Sequence, residues 1–288
     1  MPKSGWQRSR QKGNPKCGGR SVGTGSGNLG DRQKWGDVNK KDSIKAIRAM
    51  IDEGVNLVDT APVYGNGHSE EVVGKALEDG YRDKVFLATK FSISNDENGA
   101  IINNGSYENA IRECDDSLRR LKTDHIDIYI EAAQKVVRID FLQPPYSMVE
   151  ESQKNLLMWC EEQGIGTMTY GSLGAGILTG AVRELPDWEE NDFRYTFYDY
   201  FRDPKFSRIM ELLTVLDQIA LARQKPLAQI AINWSTQKSY VSTAICGVRD
   251  PQQAWENCST FDWELTADEM GIIDEAVKRL ISCDQKIV

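Results

Sequence analysis

Asp59, Tyr64 and Lys90 are the residues of this chain whose types and spacing best suit chemistry. Asp59 closes the apolar run Asn56-Leu57-Val58, and a carboxylate carried into a core needs a cation beside it. Lys90 supplies one: it ends the next such run, "KVFLATK". If the two runs are neighbouring parallel strands, acid and ammonium arrive at the same end of the sheet. Tyr64, in the segment that follows Asp59, can reach the same spot. A cation beside a phenol favours its deprotonated form, which makes the trio a poised proton donor or acceptor. We therefore expect Lys90 within salt-bridge or hydrogen-bond reach of both partners. A structural Asp–Lys pair beside a surface tyrosine is the other reading of the same residues.

The elements that must position these groups follow a regular alternation from about residue 42 onward. Helical apolar spacing in "DSIKAIRAMIDEG", with Gly54 as a stop signal, precedes the strand "NLVDTA". The helix "SEEVVGKALEDG", the strand "KVFLATK", the helix "SYENAIRECDDSLRRLK" and the strand "IDIYI" come next. Later "DFLQPPY", "GTMTYG" and "STAICG" read as strands between helical segments, and a last helix covers about 266–282. Such alternation implies parallel strands with right-handed crossovers. The number of units favours a closed α/β barrel over an open sheet, and active sites of such barrels lie at the C-terminal strand ends.

Two places break the rhythm. Residues 1–34 are rich in Gly, Lys, Arg and Gln and read as an irregular or disordered arm, which leaves 35–288 as a single domain. Their "GSGNLG" matches GxGxxG formally, but no strand precedes it and no helix follows, so it is not a dinucleotide fingerprint. Between Ile130 and Ile139 lie only the eight residues "EAAQKVVR". A parallel crossover with its helix needs roughly ten to twelve.

Composition excludes several functions. A net charge of −8 argues against nucleic acid or anionic membrane as a partner, and no apolar run is long enough to span a bilayer. Six cysteines without paired spacing read as reduced thiols of a cytoplasmic protein, and with only two histidines a metal site is not expected. His68 reads as the entry to a helix, and His125 as the buried start of a strand. The stretch "DWEENDFRYTFYDYFRDPKF" interleaves acids with aromatic residues and could cover a substrate, bind a partner or lie solvated.

The motifs "DTAPVYGNGHSEEVVGKAL", "FLATK", "FLQPPYSM", "TYGSLGAGILTG" and "GVRDPQQAWEN", in this order, resemble the aldo-keto reductase family. The resemblance implies a (β/α)8 TIM barrel that moves hydride between NADPH, in preference to NADH, and a small carbonyl compound, a sugar-derived one among the possibilities. It gives Tyr64 the role of general acid, with Lys90 tuning it and Asp59 holding Lys90. It places Gln143 on the nicotinamide carboxamide and Tyr170 on the ring. Gly171, Ser172, Leu173, Gly174 and Gly176 would line the pyrophosphate, and Gly247, Arg249, Gln253, Glu256 and Asn257 the adenosine end. Arg249 would favour a 2′-phosphate.

The chain also departs from that family's pattern. The catalytic histidine after the "IDIYI" strand and a later Ser-Asn pair are absent, so about one β/α unit is expected to be missing between Ile130 and Ile139, and the first strand looks degraded. A transcript defect, residues missing from the sequence and a genuine variant are the alternatives; Glu131 could stand in for the histidine, or be a surface residue. Two other functions stay open: a cofactor-binding barrel with little turnover, and a Schiff-base aldolase using Lys90.

Overall fold

The apolar runs pair in parallel within two sheets. A computed structural model of the chain describes residues 21–23, 40–95, 101–130, 141–185, 197–248 and 250–282. The first sheet contains β1 (Ser21–Gly23), β2 (Leu57–Asp59), β3 (Phe86–Lys90) and β6 (Ile128–Ile130), parallel and in that order. The second contains β7 (Phe141–Leu142), β8 (Gly166–Thr169) and β9 (Thr243–Ala244), also parallel. After Lys90, β4 (Ile93–Asn95) and β5 (Ile101–Asn103) form a short antiparallel hairpin. Helices follow the strands: α1 (Lys40–Asp52), α2 (His68–Ala76), α3 (Tyr107–Leu121), α4 (Lys154–Gln163), α5 (Lys205–Arg223), α6 (Leu227–Thr236), α7 (Pro251–Cys258) and α8 (Ala267–Leu280).

The two sheets close around a shared interior. Leu57, Ala88, Met168 and Ile245 are buried together, and Ile128 and Phe141 pack against them. One apolar residue from each of several strands is the layered filling of a barrel. The alternate residues Val58 and Leu87 face outward into a second cluster with Ile47, Met50, Val72 and Val73 of α1 and α2. Side chains alternate along a strand, so the residue two beyond each interior one returns to the same face, nearer the C-terminal end. Those residues are Asp59 after Leu57, Lys90 after Ala88, Gln143 after Phe141, Tyr170 after Met168 and Gly247 after Ile245. The polar residues are thus gathered by strand periodicity alone.

Several expectations need correction. The arm expected over residues 1–34 contains β1, whose Val22 pairs with Val58. Three residues, Ser-Val-Gly, are too few to show an alternating pattern, and pairing with β2 decides the outcome. His125 is exposed and bonded to Asp124 rather than buried, because β6 begins only at Ile128. No pairing joins β6 to β7 among the described residues, and residues 131–140, where the expected deletion falls together with Glu131, lie outside them.

Helices α2 and α3 approach closely at Gly74. A Cβ there would lie 2.6 Å from the Leu121 carbonyl oxygen and 2.8 Å from that of Arg120, and backbone cannot swing aside as a side chain can. Gly74→Ala is expected to lower stability by about 1–3 kcal/mol through forced separation of the two helices. Denaturant unfolding checks this, and an unchanged midpoint would show that the contact is looser.

Candidate active site

The acid, the ammonium and the phenol meet at the C-terminal ends of β2 and β3. Lys90 Nζ donates to Asp59 Oδ1 at 2.8 Å, to Asp59 Oδ2 at 2.7 Å and to the Thr60 carbonyl oxygen at 2.9 Å. The ammonium is therefore held by the carboxylate as a fork and by a backbone carbonyl. Asp59 is 3% exposed, and a buried carboxylate needs such a partner. Tyr64 is half-buried, and Lys90 Nζ stands 5.2 Å from the centre of its ring. That distance is within cation–π range. Lys90 thus reaches Asp59 by hydrogen bonds but Tyr64 through the ring face, not by the hydrogen bond that sequence allowed for; Asp59 and the Thr60 carbonyl oxygen hold the ammonium in that position.

Gln143 joins the group from β7's end, with Nε2 donating to Asp59 Oδ1 at 3.1 Å. A carboxylate accepts only, so it fixes which way the amide points and turns Oε1 away from Asp59. Tyr170 extends β8 and is 45% exposed. Burial of its hydroxyl end pushes the phenol up from its ordinary range, and the nearby Tyr64 and Glu150 push the same way. Tyr198, from the acid-and-aromatic stretch, is raised by burial and senses both Tyr170 and Tyr64. It stacks on Tyr200 at 5.2 Å, so this end of the stretch belongs to the site's rim. Sequence singled out the stretch but not the residue, because alternating acids and aromatics carry no register; residues 186–196 lie outside the described ones.

Beyond Tyr170 the chain turns through a glycine-rich loop. Gly171 (φ 73°), Gly174 (φ 55°) and Gly176 (φ 93°) have positive φ, as does Ala175 (φ 54°). At Gly171 and Gly176 a Cβ would meet nothing within 4 Å, so backbone conformation and not crowding calls for glycine there. Ala175 is the strained member, since an L-residue at such angles costs about 1–2 kcal/mol. Ala175→Gly is expected to raise stability by roughly 0.5–1 kcal/mol, the gain being trimmed by glycine's freer unfolded chain. A lower denaturant midpoint would contradict this.

The same loop carries a buried hydroxyl, Ser172 Oγ, whose polar neighbour is the weakly hydrogen-bonding thiol of Cys246. The Cys246 thiol lies near it and is pushed up to about 12 by burial, with Ser172 lowering it and Cys258 raising it. Leu173, next in the loop, packs against the larger apolar cluster. Gly247 is exposed after Cys246, and α7 follows. There the Asp250 side chain caps the Gln253 N–H, Glu256 accepts from Gln252 at 2.9 Å, and the buried Asn257 lines a small cavity with Cys246 and Cys258. Arg249 lies outside the described residues. The arrangement suits a dinucleotide: a buried hydroxyl with only a thiol beside it, a loop of left-handed residues and a half-exposed aromatic ring run from the Asp59–Lys90 pair toward the N-terminus of α7. No group of acidic, histidine and cysteine side chains that could hold a metal occurs among the described residues.

Known proteins share this sequence and fold. The model of the aldo/keto reductase family matches residues 21–133 and 129–278. The aldo-keto reductase YhdN of Bacillus subtilis is 30% identical, over 91% of this chain and 91% of its own. A glycerol dehydrogenase from Gluconobacter oxydans superposes with a TM-score of 0.80 at 26% identity, covering 93% of this chain and 94% of that one. At 20% identity, which shows the fold alone, an aldo-keto reductase from Klebsiella pneumoniae in complex with NADPH superposes with a TM-score of 0.63 over 93% of each chain. Parallel strands closed around one interior, a polar cluster at their C-terminal ends and matches along both halves lead to one conclusion: the chain belongs to the aldo/keto reductase family of oxidoreductases, with its (β/α)8 barrel fold.

Proposed function

We propose that the chain reduces small aldehydes and ketones to alcohols with NADPH, and that Tyr64 is the general acid. The observation that carries this reading is the Lys90 ammonium, held by both oxygens of Asp59 at 2.7–2.8 Å and facing the Tyr64 ring. A bound NADPH supplies the hydride. Tyr64 gives its hydroxyl proton to the carbonyl oxygen, and the Lys90 charge stabilises the phenolate left behind. Asp59 holds Lys90 in place, and the Thr60 carbonyl oxygen accepts from the same ammonium. Gln143 presents Oε1 to the carboxamide, and Tyr170 offers a ring face for stacking. Ser172 and the amides of Gly171, Leu173, Gly174 and Gly176 would hold the pyrophosphate. Gly247, Arg249, Gln253, Glu256 and Asn257 would hold the adenosine end, with Arg249 on a 2′-phosphate.

The Schiff-base reading fares worse. An amine nucleophile needs a free lone pair and room to reach a carbonyl carbon, and Lys90 is tied to both Asp59 oxygens and to the Thr60 carbonyl oxygen. The low-turnover reading keeps one feature in its favour: neither described histidine is at the site, His68 pairing with Glu71 at the start of α2 and His125 with Asp124. We also keep a cytoplasmic location in the proposal; Cys114, Cys160 and Cys246 are free thiols, and no helix among the described residues is long and apolar enough to cross a membrane.

Titrating NADPH by tryptophan fluorescence, in parallel with turnover of a reactive aldehyde, separates these functions. We expect saturable binding and turnover on the order of 1 s⁻¹ or more. Binding without turnover supports the cofactor-binding barrel, and borohydride trapping of substrate on Lys90 supports the aldolase.

A further inference from the structure

The polar contacts around Asp59 and Lys90 continue outward to a buried acid that the mechanism does not use. We propose that Glu70 is a positioning residue for Lys90 and Tyr64, acting through Thr89 and Arg120; the inference rests on the reductase reading of the site. An acid in the first turn of a helix is ordinarily solvated, where it complements the helix dipole. Glu70 instead is 0% exposed. Its Oε1 accepts from Thr89 Oγ1 at 2.7 Å and its Oε2 from Arg120 Nε at 2.6 Å.

Each partner touches the catalytic group by a different route. Thr89 immediately precedes Lys90, and alternation turns its side chain outward to the helix layer while Lys90 faces the interior. Fixing Thr89 therefore fixes the end of β3 and the direction in which Lys90 leaves it. Arg120 lies along Gly67, where a Cβ would come within 2.6 Å of its Cδ. Gly67 closes the turn that carries Tyr64, its N–H donating to the Pro62 carbonyl oxygen at 2.7 Å, and the Ser69 N–H donates to the Tyr64 carbonyl oxygen at 3.2 Å. Ser69, the neighbour of Glu70, shares a 2.9 Å hydrogen bond with Thr60, whose carbonyl oxygen accepts from Lys90 Nζ. Two consecutive residues of α2 thus hold the residue after Asp59 and the residue before Lys90. A purely structural ion pair would affect stability alone; this one spans the three segments whose relative placement sets Lys90 against Tyr64.

Thr89→Val removes only the hydroxyl that links Glu70 to β3. We expect kcat to fall about tenfold or more, since small displacements of reacting groups are costly, with NADPH affinity within about twofold of the parent. Thr89→Ser should restore most of kcat. Asp127→Asn, which breaks the Arg82–Asp127 pair elsewhere in the wall, serves as the control for lost stability and should leave kcat unchanged at temperatures well below unfolding. Should Thr89→Val not fold, Glu70→Gln with the same readouts decides. A crystal structure of the variant gives a readout that needs no turnover: displacement of Lys90 Nζ from the Asp59 carboxylate supports the inference. Parental kcat with Lys90 unmoved overturns it. If Tyr64→Phe proves fully active, the reductase reading fails instead, and the position of Lys90 in the variant still decides for or against Glu70.

Discussion

Tyr64→Phe is expected to lower carbonyl reduction by at least 10²–10⁴-fold, the range typical for loss of a positioned proton donor, with NADPH affinity nearly unchanged. The substitution removes one oxygen and keeps the ring that faces Lys90 at 5.2 Å, so the packing of the turn is preserved. Its effect should fall on kcat, because the proton moves only as the carbonyl oxygen gains charge. Steady-state kinetics with a reactive aldehyde and fluorescence titration of NADPH test the two halves separately. A parental kcat would remove Tyr64 from the reaction.

The second large effect is expected at Asp59. Asp59→Leu leaves the Lys90 ammonium without its partner in a site only 20% exposed at that side chain. Removing one member of a buried pair typically costs about 3–5 kcal/mol, and the partial exposure of Lys90 places the expected loss near ~3 kcal/mol. Turnover should vanish with it. The double variant Asp59→Leu/Lys90→Met separates the two losses. Apolar groups of similar size often replace a buried pair without penalty, so stability should largely return while activity stays absent. Chemical denaturation of the three variants checks this. Stability that fails to return would mean that Gln143 or Thr60, both bonded to the pair, depends on it for more than orientation.

Much of this site was legible in the sequence because strand periodicity is simple. Asp59 and Lys90 close two apolar runs, so their common face follows from alternation once the strands are recognised; Gln143 and Tyr170 came only with the family resemblance, although each also follows an interior apolar residue by two. Tyr64 was legible by its short separation from Asp59. Strand β1 was not, since Ser21-Val22-Gly23 has no pattern of its own and is defined by its pairing with Leu57-Val58-Asp59. Glu70 was missed for a related reason. "SEE" at a helix start looks like solvated charge, and its burial depends on Arg120, fifty positions away, and on Thr89. The one available signal was position: the first turn of the helix after Asp59's loop lies at the catalytic end of the barrel. Lys90's approach to the ring of Tyr64, rather than to its hydroxyl, was beyond sequence because it is decided by a backbone carbonyl, that of Thr60.

The central claim, that Tyr64 and Lys90 serve hydride-driven carbonyl reduction, is tested most directly by isotope transfer. NADPH deuterated at the transferring position of nicotinamide C4 is incubated with the chain and a reactive aldehyde, and the alcohol is analysed by mass spectrometry. The account predicts one deuterium on the former carbonyl carbon of each product molecule, formed by the parent chain and essentially not by Tyr64→Phe. Alcohol without deuterium, or labelled alcohol formed equally fast by both proteins, would contradict it.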